Sequence, residues 1–386
     1  MRKTEYRTKP RIKGELYKLI DKSKIKNVFL AVLAVVLLVC VPVLSGAGAG
    51  NDKEPKIGDI GDGNRSRPVH VINLRAEAEE GEESSVIALD DEPLMPFSPR
   101  QTCGECHDYE AISQGWHFNA ADPCVDAGLP GEPWILVDLL TATQLPLSYR
   151  PWPGAFSPKE IGMTKKQFIR YFGRHLPGGG VAEAPDDDAE PGEIMRELVT
   201  GNLEINCMAC HDGDPSHNQA DYDLQIKKDN FRWAASATCG FASVKGAAKD
   251  MSDMWDPFLG EAPEDPKKIP PSVSYDKNRF SAKNEVFVDI KKRVSAERCY
   301  FCHSTADMSH GADHWKADED IHLKAGLTCV DCHRNGMNHA INRGYEGEPS
   351  GQNDVSIATL TCKGCHLGEE GSDYPTAGRL GAPMPT

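Results

Sequence analysis

Hydrophobic and polar positions alternate in character along this chain, and the extreme case comes first. Val28–Gly50 holds no charged residue, and Val28–Leu44 is almost continuously aliphatic. That run is long enough to cross a bilayer as a helix. Ahead of it, residues 1–27 carry ten Lys or Arg against three acidic residues, a flank that predicts a cytoplasmic N-terminus. Ala47-Gly48-Ala49 also has the form of a signal-peptidase site. An uncleaved anchor and a cleaved signal sequence are both readings of residues 28–50, and the long basic leader favours the anchor. Residues 51–98 then turn polar and acidic, with Glu77-Ala-Glu-Glu-Gly-Glu-Glu83 at their centre. They read as a tether that buries too little apolar surface to fold alone.

From residue 98 the signals become helical. Ser98-Pro99-Arg100-Gln101 has the form of a capping box with Pro at the first helical position, predicting an early helix through Cys103, Cys106 and His107. Ser157-Pro158-Lys159-Glu160 predicts a second helical stretch running on through Thr164–His175. There Phe168, Phe172 and His175 recur at i, i+4 and i+7 and share a face. Residues 177–192 read as a Gly/Pro/Asp loop, and Glu193–Thr200 as a short helix stopped by Gly201. Strand patterning is sparse, so the expected fold is mainly α with extensive coil.

Composition sharpens this picture. The chain has 386 residues, of which only 7% are aromatic while 35 are Gly and 27 Pro. A single long apolar run excludes a polytopic membrane protein, and the material for an ordinary core is thin. The net charge of -15 conceals a leader of +7, leaving -22 for the remainder. Such an acidic balance argues against nucleic acid as the main partner, since its phosphates need a basic surface.

Thirteen cysteines change the reading further. Ten fall into five copies of Cys-x-x-Cys-His: Cys103-Cys106-His107, Cys207-Cys210-His211, Cys299-Cys302-His303, Cys329-Cys332-His333 and Cys362-Cys365-His366. Chance would supply about 0.01 copies in a chain of this composition, and the pattern is that of c-type haem attachment. Two thiols at this spacing reach the vinyl groups on one porphyrin edge, and the following imidazole ligates the iron from below. Zinc ribbons pair such motifs four ligands to a metal, which leaves one of five unpaired and the histidines without a role. A disulfide framework suits an exported chain but also ignores the histidines. The expectation is therefore five haem c groups forming much of the core. Cys40 lies in the apolar run as a buried small hydrophobe, and Cys124 and Cys239 are either a disulfide or two thiols.

The second axial position of each iron needs a further ligand. Outside the motifs, His117, His175, His217, His310, His314, His322 and His339 are distal candidates, whereas His70, in the acidic tether, is not expected to ligate. Five such ligands make every haem bis-His, which suits electron transfer, whereas an open position suits substrate binding. Met208, Met308 and Met337 rank below the histidines.

The chain resembles the multihaem c-type cytochromes of bacterial periplasmic and membrane-anchored electron transfer. The resemblance is carried by the five motifs, by Trp116-His117 after the first, and by Ile321-His322-Leu-Lys-Ala-Gly-Leu-Thr-Cys329-Val-Asp-Cys-His333. It covers residues 99–120 and 295–370 and implies closely stacked haems wrapped in helix and coil. Two departures are plain: the first motif starts far beyond the apolar run, unlike the quinol-dehydrogenase anchors, and the Cys-x-x-Cys-Lys variant of pentahaem nitrite reductases is absent.

The organisation expected is a leader at 1–27, an anchor or signal at 28–50, a tether at 51–98, a two-haem region at 99–235, a haem-free insert at 236–294 and a three-haem region at 295–386. The expected role is extracytoplasmic electron transfer, with redox proteins, other cytochromes among them, as partners. The alternative is an oxidoreductase with one open haem acting on a small nitrogen or sulfur compound.

Overall fold

Caps and glycines, more than long apolar stripes, set the elements of this fold. A computed structural model describes residues 70–78, 83–115, 117–118, 134–183, 189–260, 262–263, 265–303, 321–333 and 339. All lie in the unit Pro55–Thr386, and the other unit, Met1–Glu54, falls outside the described residues with the leader and the apolar run. Among the described residues no helix is long and apolar enough to cross a membrane.

The described strands pair as three antiparallel two-stranded sheets. Strand β1 (Val71–Asn73) pairs with β6 (Glu285–Phe287), β2 (Trp134–Val137) with β3 (Gln144–Leu147), and β4 (Ala242–Lys245) with β5 (Ser272–Tyr275). The helices are short: α1 (Pro99–Cys103), α2 (Tyr109–Ser113), α3 (Lys165–Phe172), α4 (Pro191–Thr200), α5 (Cys207–His211), α6 (Gln219–Lys227), α7 (Ala234–Thr238), α8 (Ala296–His303), α9 (Ile321–Lys324) and α10 (Cys329–Cys332).

Local chemistry explains where these helices stop. Ser98 caps α1 by accepting from the Gln101 N–H at 3.0 Å. The helix ends at Cys103, before Gly104, so Cys106 and His107 lie in the turn beyond it and not on the helix itself. The chain stays coiled there, because the N–H groups of Cys106 and His107 both donate to the Cys103 carbonyl. The second expected stretch is also divided. Pro158–Ile161 is a 3-10 turn closed by Gly162 in the left-handed region, with φ of 71°. A new capping box, Thr164 with Gln167, then opens α3. Helix α4 runs to Thr200 and stops at Gly201, as the sequence indicates.

Two apolar clusters hold these elements together. One gathers Leu74, Phe97, Trp233, Phe241, Trp255, Val273 and Val286. The other gathers Leu147, Phe168, Ile169, Phe172, Leu203, Tyr222 and Ile226 around α3 and α6. Helix α7 belongs to both: all five of its residues are buried, with Ala234 facing one cluster and Ala235 the other. Its small side chains let the two clusters come close. Phe168 and Phe172 pack with centroids 4.8 Å apart and planes tilted by 50°, and Trp134 lies edge-on to Phe168 at 5.5 Å.

Two expectations are corrected here. The tether does not extend to residue 98, because Leu74, Ile87 and Phe97 are core residues and β1 is paired. Its acidic average hid an apolar position every few residues. The stretch 236–294 is not a separate insert either, since Phe241, Val244, Val273 and Val286 pack with Trp233 and Met208 of the preceding region. Among the described residues the aromatic side chains, few as they are, concentrate in the two clusters.

Candidate cofactor site

The first motif is placed by the segment ahead of it. Val288 N–H donates to the His70 carbonyl at 2.8 Å and extends the β1–β6 pairing to that residue. Arg75 N–H then donates to Thr102 Oγ1 at 3.0 Å, and Ser98 N–H to the Arg75 carbonyl at 2.8 Å. Arg75 also forms an ion pair with Glu105, inside the motif. These ties bring the His70 ring opposite His107, with centroids 6.4 Å apart and planes 10° from parallel. His70 was not expected to be a ligand. Its signal in the sequence was the β-type run Val69-His70-Val71-Ile72 inside an acidic stretch.

The second motif forms α5, capped by Asn206, whose Oδ1 accepts from Met208 N–H at 3.2 Å. Its end is clamped by a neighbouring strand-like segment. Lys291 N–H donates to the His211 carbonyl at 2.8 Å, and His211 Nδ1 lies 2.8 Å from the Lys291 carbonyl oxygen. That contact fixes Nδ1–H as the donor and leaves Nε2 for a metal, as a ligating histidine commonly donates its other N–H to a backbone carbonyl. The ring faces His339, with centroids 6.0 Å apart and planes at 76°. His339 itself has φ of 55°, the left-handed region. Such non-glycine positions are held by their surroundings, often at functional sites.

His217 takes no such position. Its buried ring has Nδ1 3.0 Å from Asp212 Oδ2 and Nε2 3.1 Å from Gln219 Oε1, so both nitrogens are engaged. Met208 is likewise packed in the first apolar cluster.

The third motif ends α8, and His303 faces His117 with centroids 6.1 Å apart and planes at 47°. Water reaches the His117 ring, yet protein crowds it at longer range. This crowding, with His303 and His339 nearby, brings its pKa down to about 4. Burial, then His175 and His333, lowers His303 as well. Both are thereby held as neutral imidazole, the form that ligates metals. His175 follows α3 and places Nδ1 3.0 Å from the Cys302 carbonyl oxygen. Phe168 and Phe172 enter the core while His175 turns out toward the third motif, so the helical stripe divides at Gly173. His322 lies on α9, ahead of the fourth motif.

The motifs follow one another in space. The Cys103 and Cys207 side chains lie within electrostatic reach of each other, as do those of Cys299 and Cys329. Cys210 lies within electrostatic reach of Cys299, and α8 touches both α5 and α10. Burial pushes the Cys210 thiol up to about 11. Cys239 is a free buried thiol whose S–H points to the Ala235 carbonyl at 3.4 Å. Its suggested partner Cys124 lies outside the described residues, with Cys40, Trp116, His310, His314, Met308, Met337 and the whole fifth motif, Cys362, Cys365 and His366.

Among the described residues no three His, Cys, Asp or Glu side chains converge on a point that could hold a bare metal ion. Pairs are the recurring pattern. Comparison of the chain with known protein families, with characterised proteins and with solved structures finds no match. The site is therefore read from its own geometry. Two imidazoles bonded to one metal from opposite sides, each at about 2 Å, hold their ring centroids about 6 Å apart. Their planes remain free to rotate about the shared axis. Ordinary ring packing spans similar distances, but it gives no reason for each pair to join a motif histidine to a non-motif one. His107–His70, His211–His339 and His303–His117 all do so.

Proposed function

We propose that this chain is a membrane-tethered multihaem c-type cytochrome that carries electrons on five covalently bound haems outside the cytoplasm. The observation that carries this reading is the matching of three motif histidines to three non-motif histidines at 6.0–6.4 Å. Each haem, when bound, supplies one-electron iron chemistry. The residues do the rest. Cys103 and Cys106, Cys207 and Cys210, Cys299 and Cys302, Cys329 and Cys332, and Cys362 and Cys365 hold the porphyrins by thioethers. His107, His211, His303, His333 and His366 supply the proximal nitrogen, with His70, His339 and His117 as the distal partners of the first three.

Closed axial positions favour electron transfer over substrate chemistry. The contacts between successive motifs support a relay in chain order, first to fourth. The basic leader and uncharged run support an anchor with the motifs on the far side of the membrane, where covalent haem attachment takes place. The acidic exported part favours redox partners with basic faces and salt-sensitive association. The test is spectroscopic: the oxidised holoprotein is expected to be low-spin throughout, with no rapid turnover of nitrite, hydroxylamine or sulfur oxyanions. A high-spin centre with such turnover would replace the carrier with an oxidoreductase.

A further inference from the structure

Glu204 ties together the two segments that bear the first and second motifs. Its carboxylate accepts from Ser98 Oγ at 2.8 and 2.7 Å and from Arg100 N–H at 3.0 Å. Ser98 and Arg100 begin the helix that ends at Cys103, and Glu204 stands just ahead of Cys207. Since those two cysteines lie within electrostatic reach of each other, and Glu204 is bonded to the first residues of the helix that carries one of them, the carboxylate ties the first motif to the second.

The groups around it leave a surplus of negative charge. Glu183, its side chain 7% exposed, pairs with Arg100 at 2.8 Å and accepts from the Tyr109 hydroxyl at 2.8 and 2.9 Å. Tyr109 in turn accepts from Ile205 N–H at 2.8 Å. Glu77 approaches from the segment after β1 and is paired with Arg232. The Cys207 thiol lies within electrostatic reach of Glu204. Three carboxylates thus share two guanidinium groups. A cavity of about 10 Å³, lined by Glu204, Ser98, Asn202, Glu77 and Arg232, adjoins the carboxylate, and that is room for about one water. Burial, and then the charge of Glu183, bring the carboxyl of Glu204 up to about 7. Hydrogen bonds from Arg100 N–H and Ser98 pull the other way without overcoming this.

We propose that Glu204 is a proton-loading site, taking up one proton when the iron centres of the first two motifs gain an electron and releasing it on reoxidation. The inference rests on the haem reading above. The electron comes from the redox partner and converts one ferric to one ferrous iron. The proton comes from water and converts one carboxylate to a carboxylic acid, so the net charge of the region is unchanged. An added electron raises the proton affinity of a nearby, partly desolvated carboxylate, and by reciprocity the bound proton raises the affinity for the electron.

The test is a potentiometric titration of the full-length holoprotein at a series of pH values around neutrality. One haem potential is expected to fall as pH rises, with a limiting slope of about 59 mV per pH unit, the tenfold change in equilibrium for one proton per electron. Glu204→Gln, which keeps the acceptor for Ser98 and Arg100, is expected to flatten that slope. Glu183→Gln removes a like charge, frees Arg100 and is expected to move the bend to lower pH. Reduced-minus-oxidised infrared spectra should show a carboxylic C=O band that is absent in Glu204→Gln. A flat wild-type profile, an unaltered slope in Glu204→Gln at full haem content, or an unmoved bend in Glu183→Gln would each overturn the proposal. A chain lacking covalent haem would instead overturn the reading beneath it, so the two failures are distinct.

Discussion

His211 and His339 face each other with ring centroids 6.0 Å apart and planes at 76°, although one belongs to the second motif and the other follows the fourth. Two segments far apart in the chain thus meet at a single pair of imidazole rings. The same holds for His303 and His117, which join the third motif to the segment after the first.

These pairings predict which haem responds to which substitution. His339→Ala, His117→Ala and His70→Ala should each convert one low-spin centre to high-spin, about a fifth of the optical and EPR intensity in a five-haem chain. His217→Ala should leave the spectrum unchanged, since Asp212 and Gln219 occupy its nitrogens. A spectrum altered by His217→Ala and indifferent to the other three would reverse the assignment.

Gly178 carries a prediction about backbone packing. It has φ of 92°, and a Cβ there would stand 1.8 Å from the Glu204 carbonyl oxygen. Gly154 has a similar φ of 86° with nothing within 4 Å of its added Cβ. Gly154→Ala should cost about 1 kcal/mol, from strain alone. Gly178→Ala should cost about 3 kcal/mol or more and disturb the approach to the second motif. Equal melting temperatures for the two variants would show that the clash is relieved.

The two apolar clusters should matter independently of any cofactor. Phe168 is fully buried and Trp233 is 2% exposed. Either residue changed to Ala should destabilise the fold by about 3–5 kcal/mol, with the haem spectrum retained below the lowered melting point. Thermal unfolding followed by circular dichroism checks this, and a loss under about 1 kcal/mol would mean that the cofactors carry the core.

Asp214 gives a pH dependence of definite sign. Burial works against its charge, but hydrogen bonds from Arg279 and from Ser216 N–H prevail and hold its carboxyl below the usual range. A carboxyl depressed in the folded state adds stability that is full above its unfolded pKa, near 4, and is lost as pH falls through the folded value. Arg279 is 34% exposed at its side chain, so solvent screening limits the pair to about 1 kcal/mol. Arg279→Ala should therefore lower the melting temperature near neutrality and converge with the parent in acid. A constant difference across that range would remove Asp214 as the cause.

The five motifs were legible in the sequence because each is a fixed local spacing of Cys, Cys and His that no fold can alter. The start of α1 was also legible, since Ser98 acts through a local hydrogen bond. The pairing of histidines was not, because it depends on which segments meet. His70 was passed over for its acidic surroundings, whereas its position follows from pairing with a strand over two hundred residues away. His217 was attractive by proximity to the second motif, yet Asp212 lies closer still. The packed stretch after residue 70 was hidden by averaging, as Leu74, Ile87 and Phe97 are spread thinly among charges.

The central claim is tested most directly by counting covalent haem. The full-length chain, produced with haem-attachment machinery outside the cytoplasm, would be extracted with acidified acetone and assayed as the pyridine haemochrome against protein mass. Five haems per chain that resist extraction are predicted, one for each Cys-x-x-Cys-His motif. A chain that folds with no covalent haem would contradict the account.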